Sequence, residues 1–501
     1  MKFKNNFSKA FLLAMTVIIV LSGCASPAVP TPTATLPGPL VDISDSTLPA
    51  PTSTAPVPTN TAAKPTSFPV PQQRTHYQLQ LILNYYTHFG TVDQTITYTN
   101  RTQLPMAEIL LVVPPKYYSG SFVLRSLTGS ASDSIQETRE EGVNLYVKFK
   151  DALLPGETTT IELAYQLNFP AHEGTYGVSG RQTNLSNWYP YIPPYNEATG
   201  WIFHPQQVED NMQVGEYVVN EISDFDVTLQ LTDRQELIEI AASAPGVEKD
   251  GVWSYHLELA RGFSFSVSDS YVEYEIEQDG VRIRSYCFHE HIPAGEAVTE
   301  IAAKALKLYG ELYYPYPREM LSIVVADFLH NMEMDGMVMI SYGVFNFYDK
   351  TPKTNLTILT PHEVSHQWFY SLIGNDQAME PWLDEALATY NEVIYYDRYH
   401  PDLVQWWWDN RVTTHNPTGS VNSDIYISGG YTPYRNAVYL RGAMFMQEIR
   451  NTIGDEAFFA SLKEYAISNT YAIGTSTTFF EVIAKHSQAD LTPVLAKYFS
   501  N

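Results

Sequence analysis

Cysteine is nearly absent: the 501-residue chain has two, too few for a disulfide-stapled scaffold. Basic residues are also scarce, 30 Lys and Arg against 55 Asp and Glu, giving a formal charge of −25. A chain of that sign repels phosphate backbones and anionic headgroups, which excludes nucleic-acid binding through a basic face. No internal repeat is visible. The apolar run Phe11 to Leu21 is too short to span a bilayer and has the length of a signal-peptide core. Apolar residues, at 44%, are plentiful enough to rule out wholesale disorder, and the length calls for at least two domains.

That run follows Lys2, Lys4 and Lys9 and ends in Leu21-Ser22-Gly23-Cys24. The tetrapeptide resembles a bacterial lipoprotein signal, in which small residues suit the signal peptidase and the cysteine thiol receives a diacylglycerol. The resemblance implies a signal peptide over residues 1–23. It also implies an extracytoplasmic chain held to the bacterial cell membrane by a lipid anchor at Cys24. Residues 24–73 hold 12 of the 32 prolines, with Thr, Ser and Ala among them. Such a stretch cannot bury enough apolar surface to fold and reads as a disordered tether, about 150 Å long if extended. The second cysteine, Cys287, sits in an expected strand, Val281 to Phe288, as a small buried hydrophobe.

Two folded regions follow. Over residues 74–269 the hydrophobic period is mostly two, as in Tyr77 to Leu83, Asn144 to Lys150, Thr160 to Tyr165 and Phe225 to Leu231, with turns such as Pro155-Gly156 between. This pattern predicts an antiparallel β-sandwich. Over residues 270–501 a strand or two lead into helical periodicity from Gly295 to Tyr309, a strand from Met320 to Ala326, and mostly helix beyond Thr360. Ile453-Gly454 reads as a helix stop, and Thr478-Phe-Phe-Glu481 as a capping box. Trp406-Trp407-Trp408 points three ways on a helix and reads as packing, and His289-Glu-His291 reads as a loop.

The chemistry lies in His362-Glu363-Val-Ser-His366. Histidines at i and i+4 share one helix face, so both imidazoles can point at one metal ion, while the Glu between them can reach a metal-bound water. Zinc lowers the pKa of such a water, and the carboxylate takes its proton as the water attacks a carbonyl. Glu385, 19 residues after His366 within Trp382-Leu-Asp-Glu385, supplies a third ligand from a second helix. Three protein ligands with an open position is the catalytic arrangement. Thr360-Pro361 could open the helix there and make Glu363 a capping-box partner instead.

His362-Glu-Val-Ser-His-Gln-Trp-Phe369 with Trp382-Leu-Asp-Glu385 is similar to the zinc signature of the aminopeptidase N family of gluzincins. Asn331-Met-Glu-Met-Asp-Gly336 resembles its Gly-x-Met-Glu-Asn exopeptidase motif, with His330 and Asn331 in place of Gly-x and Met334 in place of Asn. Val438-Tyr-Leu-Arg-Gly442 resembles its Tyr-x-Lys-Gly segment, with Arg441 for Lys. Asn187-Trp-Tyr-Pro190 and Val214-Gly-Glu216 resemble small bacterial members. The likeness covers about residues 74–501 and implies a β-sandwich on a thermolysin-like, mainly helical α/β zinc peptidase domain.

The resemblance also implies residue roles. His362, His366 and Glu385 would bind one Zn2+ per chain, Glu363 would be the general base, and Tyr439 would donate to the oxyanion. Glu333 would bind the free α-ammonium of a peptide substrate. The implied activity is removal of N-terminal residues from peptides. The alternatives are a gluzincin endopeptidase, given the altered motif at 330–334, and a metal-binding lipoprotein without catalysis.

Overall fold

In the computed structural model the described residues are 68, 70–129, 134–209 and 212–500. The signal sequence, Cys24 and the tether up to residue 67 lie outside them. Phe68, placed in the tether by composition, packs its ring 4.7 Å from that of Tyr314. Among the described residues no helix is long and apolar enough to cross a membrane.

Alternating burial builds the N-terminal part. Strand Thr75–Asn84 buries Tyr77, Leu79, Leu81 and Leu83 and turns Gln78, Gln80 and Ile82 outward, the pattern of a sheet covered on one face. It sits inside a seven-stranded sheet ordered Gly246–Lys249, Val252–Ala260, Ser223–Leu231, Thr75–Asn84, Phe89–Thr99, Thr158–Asn168, Phe122–Gly129. The sheet is antiparallel except at its centre, where Thr75–Asn84 and Ser223–Leu231 run parallel in the register Tyr77↔Phe225. A purely antiparallel sandwich is therefore corrected at this one pairing. A three-stranded and a four-stranded sheet accompany it, and Trp188, Tyr189, Phe263 and Phe265 belong to the shared core.

The four-stranded sheet has water on neither face at its strand Gln182–Leu185, whose residues are all buried. Ser322 Oγ donates to the Ala242 carbonyl at 2.9 Å, and Gln182 Nε2 donates to the Val325 carbonyl. These bonds tie it to the next sheet, ordered Tyr271–Gln278, Val281–Phe288, Met320–Ala326, Met337–Ser341, Met332–Met334. The middle three strands are parallel and the two edge strands antiparallel. Helix Ile292–Leu312 makes the crossover between Val281–Phe288 and Met320–Ala326, as a parallel pair requires. Cys287 is buried on this sheet. Beyond Asn355 the chain is helical except for loops.

Two local expectations are corrected. The capping box that opens helix Ser476–His486 is formed by Thr475 and Thr478, three residues earlier than Thr478 and Glu481. The Thr475 hydroxyl accepts from Thr478 N–H at 3.2 Å, and Thr478 Oγ1 accepts from Thr475 N–H. His289–His291 forms a short 3-10 turn rather than a loop.

Candidate active site

Helix Asn355–Ser365 begins six residues before Pro361, with Thr354 as its N-cap residue in extended conformation. Glu363 therefore lies in the last turn and caps nothing, which corrects the start suggested by Thr360-Pro361. Pro361 interrupts the helical bonding, since it has no N–H. The Tyr309 hydroxyl donates to the carbonyls of both Pro361 and Asn391, at 3.1 Å each, and Asn391 Nδ2 donates to Ser365 Oγ at 2.6 Å. These bonds fix helix Trp382–Tyr399 against the first helix.

His362, His366 and Glu385 converge, all three buried. His362 Nε2 lies 3.2 Å from Glu385 Oε2 and 3.2 Å from His366 Nε2, and His366 Nε2 lies 3.5 Å from Glu385 Oε2. The far ring nitrogens are engaged: His366 Nδ1 bonds the Phe369 carbonyl and His362 Nδ1 bonds Glu392 Oε1, both at 3.0 Å. Both partners only accept, so each Nδ1 carries the proton and each Nε2 turns a lone pair inward. Two lone pairs and a carboxylate oxygen facing one another need a cation between them. Donors at about 2.0–2.1 Å from a tetrahedral zinc stand about 3.3–3.4 Å apart, so the triangle fits that ion. With protons alone to balance it, the cluster loads its bases. Burial pushes His362 down, but the hydrogen bonds to Glu385 and Glu392 outweigh it and hold the ring up at about 9. Glu385 is held well below the usual carboxylate range, where His366 and His362 outweigh burial.

Glu392 is fully buried and multiply held. Trp407 Nε1 and Arg411 Nε donate to Oε2, and Arg411 Nη2 to Oε1, each at 3.0 Å. Burial alone would raise this carboxyl, but Arg411 and then His362 hold it low. Trp407 thus packs, as expected, and also orients a ligand's partner.

Tyr439 stands on a π-helical turn, Asn436–Leu440, a form of helix enriched at functional sites. Its ring lies parallel to that of His362, centroids 5.9 Å apart, and its hydroxyl donates to Glu385 Oε1 at 2.5 Å. Arg441 points away, donating to the Lys497 carbonyl at 2.8 Å.

Glu333 is buried on the edge strand Met332–Met334. Gln377 Nε2 donates to Glu333 Oε1 and to Asp384 Oδ2, both at 2.9 Å. Gln367, next to His366, donates to the Met334 carbonyl and accepts from Gly336 N–H, each at 3.0 Å, which registers the edge strand against the metal helix. Carboxylate oxygens of Glu216, Glu333 and Glu385 lie within 4.8 Å of one another, as do ligand atoms of Glu333, Glu363 and His366. Burial, then the charges of Glu333, Glu385 and Asp384, push Glu216 well above the usual range. Burial and Glu385 push Asp384 up to about 8.

Sequence reasoning had no role for Glu216, Gln377, Asp384 or Glu392. Glu392 was findable: it follows Glu385 by seven residues, two helical turns, on the same face. Glu216 comes from the β part, with only the Val214-Gly-Glu216 likeness as a signal.

Residues 298–498 match the Peptidase family M1 domain. Aminopeptidase N of Lactobacillus helveticus is 24% identical over 294 residues, 52% of this chain and 34% of that protein. Human endoplasmic reticulum aminopeptidase 1 is 23% identical over 227 residues, 42% of this chain and 24% of its own. This chain thus spans about a third or less of the length of these relatives. Two crystal structures of M1 zinc metallopeptidase from Deinococcus radiodurans, each 18% identical, align with TM-scores of 0.61 and 0.59. They cover 86% and 83% of this chain and 95% and 91% of theirs. The architecture, a multi-sheet β part followed by a helical part, is that of M1 metallopeptidases. These likenesses support the aminopeptidase N family of zinc metallopeptidases.

Proposed function

We propose that this chain is a membrane-tethered aminopeptidase that holds one zinc ion on His362, His366 and Glu385. The observation that carries the exopeptidase reading is the convergence of the Glu216, Glu333 and Glu385 carboxylates within 4.8 Å beside that triangle. A substrate's α-ammonium offers three N–H donors and one positive charge, which suits the half-buried Glu216 and buried Glu333 carboxylates. A zinc ion bound there would supply Lewis acidity and lower the pKa of the attacking water.

The chain's own residues do the rest. Glu363, buried and within 4.8 Å of His366 and Glu333, takes the proton of the attacking water and returns it to the leaving amine. Tyr439 keeps its proton and donates a hydrogen bond to the carbonyl oxygen as negative charge grows there. Glu216 and Glu333 hold the amine, so the bond presented is the first of the peptide. Lipid attachment at Cys24 would place the enzyme on the outer side of the bacterial cell membrane.

The test compares a peptide with its N-acetylated twin on wild type and Glu333→Ala. Wild type should cleave the free peptide from its N-terminus and ignore the capped one. A charge-assisted pair worth about 2–3 kcal/mol makes Glu333→Ala about 30- to 150-fold poorer in kcat/KM, with zinc retained. Internal cleavage of the capped peptide at a similar rate would replace this reading with an endopeptidase.

A further inference from the structure

Strand Met332–Met334 is the last of its sheet, paired on one side to Met337–Ser341. Its two ends differ. Past Met334 it is walled in: Met334 and Asp335 are 2% and 1% exposed. Arg261 N–H donates to Asp335 Oδ2 at 2.6 Å, and a Cβ on Gly336 would fall 2.0 Å from the Ser243 carbonyl oxygen. Before Met332 the edge is open, with His330 and Leu329 exposed. A peptide whose amine sits at Glu216 and Glu333 has one way to continue along this edge, past Asn331 toward Leu329.

An apolar surface waits there. Among the described large apolar side chains, three are more than 60% exposed: Phe347 at 82%, Val247 at 70% and Leu329 at 64%. Two of these share one face. Asn331 Oδ1 accepts from Ser341 N–H at 2.9 Å, tying the loop before the edge strand to helix Tyr342–Asn346, which Ser341 caps. Leu329 Cδ2 lies 3.5 Å from where a Cβ on Gly343 would stand. Phe347 N–H donates to the Gly343 carbonyl at 3.3 Å, one helical turn on and therefore on the same face. Leu329 precedes Glu333 by four residues, at most about 13 Å of extended chain.

We propose that Leu329 and Phe347 form an apolar subsite for the third or fourth residue of the substrate, downstream of the bond that is cut. The inference rests on the aminopeptidase reading and narrows its substrates to oligopeptides with a large apolar residue at that place. A peptide in extended conformation against the edge covers the distance to Leu329 in about four residues, and burying a leucine between two exposed apolar side chains favours binding.

The experiment measures kcat/KM for release of the first residue from a pentaalanine series with leucine moved through positions two to five, alongside an alanyl anilide. It uses wild type and the Leu329→Ser, Phe347→Ser double variant. Both positions are exposed, so the substitutions leave the core packing intact. Leucine at position three or four should raise wild-type kcat/KM about tenfold over pentaalanine, and the double variant should lose that gain. A gain equal in both proteins, or none at any position while the anilide is hydrolysed, overturns the subsite and leaves the aminopeptidase reading standing. If wild type cleaves neither the anilide nor any peptide, the aminopeptidase reading falls and the subsite falls with it.

Discussion

Gly442 and Ala386 meet across two helices so closely that a Cβ on Gly442 would fall 2.4 Å from the Ala386 Cβ. Ala386 follows Glu385 and Gly442 lies three residues after Tyr439, so this contact sets how near the Tyr439 hydroxyl comes to Glu385 Oε1, now 2.5 Å. Gly442→Ala should force helix Arg441–Ile453 outward and carry Tyr439 with it. We expect kcat to drop about 10- to 100-fold, since a displacement near 1 Å suffices for that. Tm should fall by a few degrees, and zinc content should stay at wild type. An unchanged kcat would show that this spacing is not needed for turnover.

Glu363→Gln keeps the shape of the proposed base and removes its capacity to take a proton. Metal content should match wild type, while kcat drops about 10²- to 10⁴-fold. Burial pushes the Glu363 carboxyl up to about 7, against the pull of His362 and His366. A base acts only when ionised, so kcat/KM should fall as pH drops through this pKa, and a bound dication moves the acid limb below about 7. A wild-type profile with no acid limb between about pH 4 and 7 rules Glu363 out as the base.

Glu392 orients His362 and does not itself face the ring nitrogens that converge. Glu392→Gln preserves an acceptor for Nδ1 but leaves Arg411 without its counter-charge. Zinc affinity, measured by competition with a chelator, should weaken about 10- to 100-fold, and activity should recover when zinc is in excess. Affinity equal to wild type would make Glu392 a structural partner of Arg411 alone.

Cys24→Ser should block lipid attachment and move the protein from the membrane to the soluble extracytoplasmic fraction. Two or more acyl chains anchor a protein stably where one does not. A wild-type protein that fractionates as soluble means the Leu21-Ser22-Gly23-Cys24 likeness is fortuitous.

Much of the architecture was written locally. Strands such as Met320–Ala326 and the stop at Gly454 follow from period and residue type. The parallel pairing of Thr75–Asn84 with Ser223–Leu231 was hidden because its partners lie about 150 residues apart, and nothing in either segment names the other. Pro361 misled because proline usually marks a helix start, whereas tertiary bonds from Tyr309 keep it mid-helix here. Two corners of the metal triangle, His362 and His366, were legible because their spacing is helical, and Glu385 because it stands in the zinc signature's Trp382-Leu-Asp-Glu385. The proposed amine cluster was half legible: Glu333 had a motif, but Glu216 reaches it from a loop of the β part, between Met212–Gln213 and Ser223–Leu231, with no fixed spacing to reveal it.

That origin of Glu216 separates two properties that are easily merged. The segment from 298 to 498 contains every donor of the metal triangle, the base and Tyr439, so it specifies which bond chemistry occurs. Of the two carboxylates proposed to hold the substrate amine it contains Glu333 but lacks Glu216. Two proteins alike over this segment can therefore share a reaction and differ in whether they trim ends or cut interiors. Positional selectivity can drift through substitutions in the β part while the reaction itself stays untouched.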